Sequence, residues 1–199
     1  MTEVSSLTGR LLVATPALAD PNFDRAVVLL LDHDEEGSLG VVLNRPTPVD
    51  VADILEGWGE LAGAPGVVFQ GGPVSLDSAL GVAVIPGDEG APPSARARVG
   101  RADPVGFRRV HGAIGLVDLE TPPELLAAAL GSLRIFAGYS GWGPGQLENE
   151  LEDGAWYVVE SEPGDVSSPD PERLWRAVLR RQRSELAMVA TYPDDASLN

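Results

Sequence analysis

Ala26-Val-Val-Leu-Leu-Leu31, Asp32-His-Asp-Glu-Glu-Gly37 and Ser38-Leu-Gly-Val-Val-Leu43 are the three consecutive segments that decide the fold class. The first is continuously apolar and rich in β-branched residues, which is typical of a strand buried on both faces. The second is charged and ends in glycine, which indicates a turn. The third returns as another strand, so the three segments together predict a β-hairpin.

Short strands that follow one another directly are predicted along the rest of the chain as well. They fall at residues 9–14, 67–70, 79–85, 113–119, 133–137 and 155–160, with weaker ones at 95–99 and 107–110. Helices are predicted at residues 50–56, 144–152 and 170–183 and after Thr121, and Pro46 is expected to end the strand before it. Because strands outnumber helices, we expect one α+β domain over residues 1–199, with a mixed, largely antiparallel sheet.

The composition narrows the classes of partner and the compartment. The chain has 199 residues, of which 44% are hydrophobic, and a net charge of −16, so we expect one core and repulsion of polyanions such as DNA or an anionic membrane. It has no cysteine, which excludes disulfides, zinc–thiolate sites and cysteine nucleophiles. Its start lacks a basic leader and an apolar signal core, so we expect a cytoplasmic protein.

The stretch Gly138-Tyr-Ser-Gly-Trp-Gly-Pro-Gly-Gln-Leu-Glu148 predicts a strand, a glycine-rich bend over residues 138–145, and a helix. A helix start of this kind can hold an anion. However, the spacing is neither the dinucleotide fingerprint nor a Walker loop, and the acidic residues of the helix oppose a phosphate. Two interpretations stay open: a shaped bend in which Trp142 packs, which we favour, and a ligand site.

Three other patterns have a functional and a structural interpretation. Ser140 is a possible nucleophile, but the nucleophile elbow is incomplete and only His33 and His111 could act as a base. The carboxylates around His33 could hold a metal ion weakly, although a solvated turn is the more common case. An arginine stripe on the last helix (Arg173, Arg176, Arg180 and Arg183) is either an exposed face paired with local acids, which we favour, or a docking strip. We expect no metal and no cofactor.

Several motifs occur together in one order and resemble the YqgE/AlgH family of bacterial proteins. They are Gly9-Arg-Leu-Leu-Val-Ala14, Asp20-Pro-Asn-Phe-Asp-Arg25, Asn44-Arg-Pro46, Gln70-Gly-Gly-Pro-Val74 and the Gly138–Glu148 stretch. The resemblance implies an α+β fold whose sheet curls into a partly open barrel with flanking short helices. It also implies a proposed role in transcriptional regulation, but it brings no catalytic residues to carry over.

These observations lead to two functional hypotheses. The first is a non-enzymatic regulatory or binding protein that acts through a protein partner rather than by direct DNA binding. The second is a small-ligand sensor or an enzyme with an anion-binding site at the 138–145 bend, where Arg45 would supply the positive charge that the acidic helix lacks. In both cases the candidate binding residues are Asn44, Arg45, Gly71, Gly72, Ser140, Trp142 and Gln146.

Overall fold

The structure, a computed structural model, describes residues 6–18, 20–85, 104–182 and 185–191. Within these residues ten strands form one sheet. Their bounds are β1 Arg10–Ala14, β2 Val27–Asp34, β3 Gly37–Val42, β4 Pro46–Asp50, β5 Val67–Gln70, β6 Val74–Val84, β7 Phe107–His111, β8 Ile114–Val117, β9 Ser132–Trp142 and β10 Trp156–Glu160. The predicted strand at residues 95–99 and Arg183 of the arginine stripe lie outside the described residues.

The sheet has the strand order β10-β1-β2-β3-β9-β6-β8-β7, and β4 is joined to it through β5. All the pairs are antiparallel except that between β5 and β9, which is parallel. This mostly antiparallel sheet curls into a half-barrel with a few short helices. The α+β class, the mixed and largely antiparallel sheet and the partly open barrel are thereby confirmed.

The hairpin that β2 and β3 form is confirmed, and both faces of β2 are buried. Leu29 packs into one hydrophobic cluster and Leu30 into another on the opposite face, so the continuous apolar run has two cores to fill. The predicted turn over residues 32–37 is too long, because β2 continues to Asp34 and pairs there with Gly37. His33 therefore lies in a strand and is buried, not in a solvated turn.

The helices are shorter than predicted: α1 Val51–Ile54, α2 Pro123–Leu126, α3 Gln146–Glu152, α4 Pro163–Val166, α5 Leu174–Arg180 and α6 Leu186–Val189. A 3₁₀ turn, Pro171–Arg173, precedes α5. The predicted cap at Thr121 is wrong, since α2 begins after Pro122 without a side-chain cap. The strand predicted before Pro46 does end there, since β3 stops at Val42, but the expectation that Pro46 is unpaired is wrong: it pairs with Phe69 in β4, whose partner is β5 alone, and such an edge position tolerates proline.

The largest correction concerns β9. A strand ending at residue 137 and a bend from residue 138 were predicted, but β9 continues to Trp142 and pairs with β3 there. The glycines of this segment allow backbones to approach closely: a Cβ on Gly138 would lie 2.7 Å from the carbonyl oxygen of Gly72, and a Cβ on Gly72 would overlap the carbonyl oxygen of Tyr139. Gly138 also takes a positive φ of 70° within β9, and Gly145 takes a positive φ of 74° at the turn over residues 143–145 before α3.

Candidate functional site

The seven predicted site residues do not form one site. Trp142 and Gln146 belong to a cluster on one side of the sheet, which we call the tryptophan cluster: Phe23, Trp142 and Trp156 with Glu150 of α3. Asn44, Arg45 and Gly72 line two adjoining cavities, which we call the Arg45 cleft. Ser140 and Gly71 are buried in the sheet between them.

The two tryptophans of the tryptophan cluster are buried, and their indole N–H groups have acceptors. The ring centroids of Trp142 and Trp156 are 6.2 Å apart, and the Phe23 ring lies 6.3 and 5.5 Å from them. Oε1 of Glu150 accepts both indole N–H groups, at 3.2 Å from Trp142 and 3.0 Å from Trp156. The side chain of Gln146 completes the cluster, because its Nε2 donates to Oε2 of Glu150 at 3.2 Å. This arrangement packs and orients side chains, and it leaves no indole N–H for a ligand.

Gln146 also has a second, local role. Its Oε1 accepts a hydrogen bond of 3.0 Å from the backbone N–H of Gly143, so the side chain closes the turn that starts α3. Both ends of the amide are thus occupied by the protein. The structure assigns Gln146 to the turn and to Glu150 rather than to a ligand.

Ser140 is fully buried, and its hydroxyl donates to the carbonyl oxygen of Gly71 at 3.1 Å. The two histidines that could serve as its base are elsewhere: Nδ1 of His33 is 2.6 Å from the Ser38 hydroxyl, and His111 ends β7. Among the described residues, no hydrogen bond joins Ser140 to a histidine. The nucleophile interpretation therefore has no base and no access for a substrate.

Buried His33 links the hairpin to α3. Its Nε2 is 3.3 Å from Oε1 of Glu148, while Nδ1 meets Ser38 on the neighbouring strand. Both ring nitrogens are therefore occupied by side chains. In the described part of the chain, no group of three or more histidine, cysteine or acidic side chains could hold a metal ion.

The Arg45 cleft consists of two cavities of about 230 and 490 Å³. Pro21 and Arg45 line both of them. The smaller cavity is completed by Gly72 and its neighbours, and the larger by residues of α5. Its further lining residues are Asn22, Val42, Gln70, Gly72 and Pro73 in the smaller cavity and Asp24, Arg25, Asn44, Glu172, Trp175 and Arg176 in the larger.

Arg45 is half-buried, and Nη2 donates to the carbonyl oxygen of Asp24. Burial lowers the pKa of the Arg45 guanidinium, and the charge of Asp24 opposes that shift. The guanidinium nevertheless stays charged near neutral pH, because an arginine begins from a very high pKa. Its remaining N–H groups have no partner among the described residues, so it can bind an acceptor placed in the cleft.

The larger cavity gathers more positive than negative side chains. Arg25 lies over the ring of Trp175 at 4.6 Å from its centroid, and Arg176 lies 5.7 Å from the same centroid. Trp175 itself is fixed, since its Nε1 donates to the carbonyl oxygen of Ala14 at 2.9 Å. With Arg45, three arginines line this cavity together with two acidic residues, Asp24 and Glu172.

Asn44 lines the larger cavity but is held by the backbone. Its Oδ1 accepts from the N–H of Val27 at 3.0 Å, and its Nδ2 donates to the carbonyl of Arg25 at 2.9 Å. These two bonds fix the chain where Arg25 takes a positive φ of 53°, unusual for a residue with a Cβ. Asn44 therefore positions Arg25 and the start of β2, and its own polar groups are used.

Comparison with known proteins now identifies the family. A family model described as AlgH-like matches residues 11–187. The chain belongs to the AlgH-like family. Relatives named UPF0301 protein share 85% identity over 199 residues in Streptomyces avermitilis, covering 100% of this chain and 98% of the relative, and 49% over 195 residues in Thermobifida fusca, covering 98% and 96%.

Solved structures agree with this family and with the fold. A crystal structure of a Corynebacterium diphtheriae protein is 30% identical, has a TM-score of 0.82 and covers 96% of this chain and 95% of that one. The solution structure of the AlgH protein from Pseudomonas aeruginosa is 27% identical, has a TM-score of 0.64 and covers 98% and 99%. The resemblance inferred from the motifs is thereby confirmed.

Sequence reasoning found part of the cleft of this AlgH-like protein and missed the rest. It named Asn44, Arg45 and Gly72, but not Arg25 or Trp175. The available signal was the arginine stripe of the last helix, because Arg176 of that stripe adjoins Trp175 and lines the cleft. Among the described residues, no helix is long and apolar enough to cross a membrane.

Proposed function

We propose that this AlgH-like chain is a non-enzymatic binding protein that acts through a protein partner, and that the Arg45 cleft receives a carboxylate of that partner. The observation that carries the proposal is the half-buried Arg45 guanidinium, which is shared by two concave cavities and has N–H groups without a protein partner in the described chain. Arginine is the side chain best suited to bind a carboxylate, because its donors form a planar fork.

The overall charge of −16 does not prevent this binding at physiological salt. Charges further apart than about 8 Å are largely screened at 0.15 M ionic strength, so the side chains that line the cleft dominate once a partner is in contact. Those side chains include Arg25, Arg45 and Arg176. Binding in the cleft would be short-ranged, and Arg45 would be the group that meets a carboxylate of the partner.

A regulatory role in transcription would also be exerted through a protein partner bound at the Arg45 cleft. Duplex DNA is a continuous polyanion, so its contact with a chain of net charge −16 brings phosphates against acidic surface at short range, and a single cleft does not reverse that repulsion. We therefore propose that any effect on transcription in the cytoplasm passes through the bound protein partner. The buried and fully bonded Ser140 gives no support to an enzymatic role.

A small-ligand sensor is the second candidate function, and the size of the larger cavity favours it. A volume of about 490 Å³ lies within the range of small-molecule sites, roughly 300–1,000 Å³. Trp175 and Pro21 offer apolar surface beside Arg45, so an anionic metabolite with an apolar part would fit the lining. This candidate uses the same guanidinium, which allows one experiment to compare both.

The test measures binding to wild type, Arg45→Gln and Arg10→Gln by fluorescence anisotropy at 0.15 M salt. The probes are a labelled deca-glutamate peptide and a labelled 30-base-pair duplex, with inorganic phosphate and citrate as competitors. Arg10 is exposed on β1 and does not line the cleft. Arg10→Gln therefore serves as the control that changes the net charge as Arg45→Gln does but leaves the cleft intact. We expect Arg45→Gln to weaken peptide binding about 10- to 100-fold, because a charge-assisted hydrogen bond contributes about 1.5–3 kcal/mol.

The outcomes separate the candidates. Competition by citrate at concentrations far below that of the peptide would favour the small-ligand sensor over the protein partner. Equal affinities of the peptide for Arg45→Gln and wild type would refute the cleft as the binding place. Tight binding of the duplex by wild type would refute the proposed route through a protein partner.

A further inference from the structure

A second arginine, Arg134 of β9, lies outside the Arg45 cleft and is buried with several of its N–H groups unpaired among the described residues. It is 2% exposed and is the most deeply buried charged side chain that does not meet a carboxylate in the described chain. Nη2 donates to the carbonyl oxygens of Ala64 at 3.1 Å and Ser168 at 2.8 Å. Nε and Nη1 are buried and have no partner among the described residues, so three N–H bonds are left without an acceptor.

Such a group is costly unless something binds it. Burial lowers the pKa of Arg134 to about 10, which means that the charged form is less favourable there than in water. The ring of Phe69, 4.4 Å from the guanidinium carbon, offers its π face but no negative charge. An arginine does not lose its proton near neutral pH, so these N–H groups need an acceptor from outside the described protein groups, either an ordered water or an anion.

The Arg181–Asp165 pair, in which Asp165 is buried and Arg181 is partly exposed, shows how another cation near Ser168 is neutralised in this protein. Nη1 and Nη2 of Arg181 donate to Oδ1 and Oδ2 of Asp165 at 2.5 and 2.7 Å. The hydrogen bond to Asp165 raises the pKa of Arg181, and its burial opposes that rise. Asp165 is thus already committed to Arg181 and is not the missing partner of Arg134.

A cavity of about 560 Å³ is lined by chain neighbours of Arg134 and of its bonding partner Ser168, although Arg134 itself is not among the lining residues. Ser132, which lines it, is two residues before Arg134 on β9 and therefore points to the same face of the strand. Ser167, which also lines it, adjoins the Ser168 carbonyl that Arg134 binds. The other lining residues are Val84, Gly131, Glu162, Pro163 and Gly164. The lining therefore combines two hydroxyl donors, some apolar surface and one carboxylate, that of Glu162. Oε2 of this carboxylate is 3.5 Å from Nη1 of Arg181.

We infer that Arg134 is the anchor of a binding site for a short-chain carboxylate, which enters from the cavity lined by Ser132 and Ser167. A single negative charge neutralises the one guanidinium. A doubly charged phosphate would leave an excess negative charge near Glu162, which disfavours it. Two hydroxyls can donate to the carboxylate oxygens, and Val84 and Pro163 contact a short alkyl chain. This site does not depend on the Arg45 cleft.

The test is thermal unfolding of the whole chain at pH 7.5 and constant ionic strength, with sodium chloride replaced stepwise by sodium butyrate. A ligand that binds the folded state raises Tm, and each tenfold rise in its concentration above Kd shifts Tm by roughly 3–5 °C for a protein of this size. We expect this rise for wild type and for Arg45→Gln, and a flat response for Arg134→Met. Inorganic phosphate at equal ionic strength should give little shift in all three.

Arg134→Lys keeps a positive charge and covers the case in which Arg134→Met does not fold. Its single ammonium lacks the planar fork, so we expect butyrate binding at least tenfold weaker than in wild type by ligand-observed NMR. A butyrate response of the same size in wild type and the Arg134 variants would overturn the proposal as a general solvent effect. A wild-type chain that shows neither a Tm shift nor an NMR signal change with butyrate would overturn it as well.

Discussion

The tryptophan cluster and the Arg45 cleft share one loop but use their polar groups in opposite ways. Phe23 of this loop packs in the cluster, while the next residue, Asp24, accepts a hydrogen bond from Arg45 in the cleft. In the cluster both indole N–H groups end on Glu150, and Trp142 and Trp156 are 6% and 4% exposed. In the cleft, Arg45 keeps donors that no described residue accepts. The difference separates a region that stabilises the fold from one that is free to bind.

The largest effect is expected at Gly72, where the wall of the cleft meets β9, the strand that also carries Trp142. This residue lines the cleft, and a Cβ there would overlap the carbonyl oxygen of Tyr139 on β9, close to the Ser140 hydroxyl. Backbone atoms on both sides must shift, so Gly72→Ala should lower the free energy of unfolding by about 3 kcal/mol. It should also weaken binding of the deca-glutamate peptide, since the cleft wall moves. Urea denaturation and anisotropy measure the two effects.

Gly164→Ala is the matched control for this substitution, because a Cβ at Gly164 meets nothing within 4 Å. Its free energy of unfolding should stay within about 1 kcal/mol of wild type. If Gly72→Ala were as stable as Gly164→Ala, the close approach of Gly72 to the backbone of β9 would not contribute to the stability of the fold.

The local part of this fold was readable from the sequence, and the reasons are physical. The run at residues 26–31 predicts a strand because a side chain that faces a core on either side must be apolar, and β2 has a core on each face. The glycines of β9, in contrast, led to a wrong prediction of where the strand ends. Glycine permits a bend and also permits two backbones to approach, and the sequence does not distinguish these uses at Gly138.

The candidate site was only partly predictable, because grouping residues requires the register of the sheet. Trp142 and Ser140 are two residues apart, yet one packs in the tryptophan cluster and the other bonds to Gly71. The contact of Arg25 with Trp175 joins residues that are far apart in the chain, and no local pattern reports it. Arg45 was identified from its charge and its motif, and its setting in the cleft came from the structure.

The next largest effect tests whether the tryptophan cluster is purely structural. Glu150→Ala removes the acceptor of two indole N–H groups, so we expect the free energy of unfolding to fall by about 2 kcal/mol. Glu150→Gln keeps an acceptor oxygen and should lose less than about 1 kcal/mol. Both variants should bind the deca-glutamate peptide as wild type does at a temperature where they are folded. A drop in peptide affinity for either one would show that the cluster and the cleft are not separate.

The smallest effect is expected for Gln146. The sequence predicted it as a binding residue, whereas in the structure its side chain closes the turn before α3. Gln146→Ala loses the exposed hydrogen bonds to the Gly143 N–H and to Glu150, so the free energy of unfolding should fall by only about 0.5 kcal/mol. Peptide binding should stay within twofold of wild type, in contrast with the loss expected for Arg45→Gln. Parallel urea and anisotropy titrations of the two variants make this comparison. If Gln146→Ala weakened binding as much as Arg45→Gln, the ligand would have to span both regions, and the loop around Phe23 would be part of the binding site.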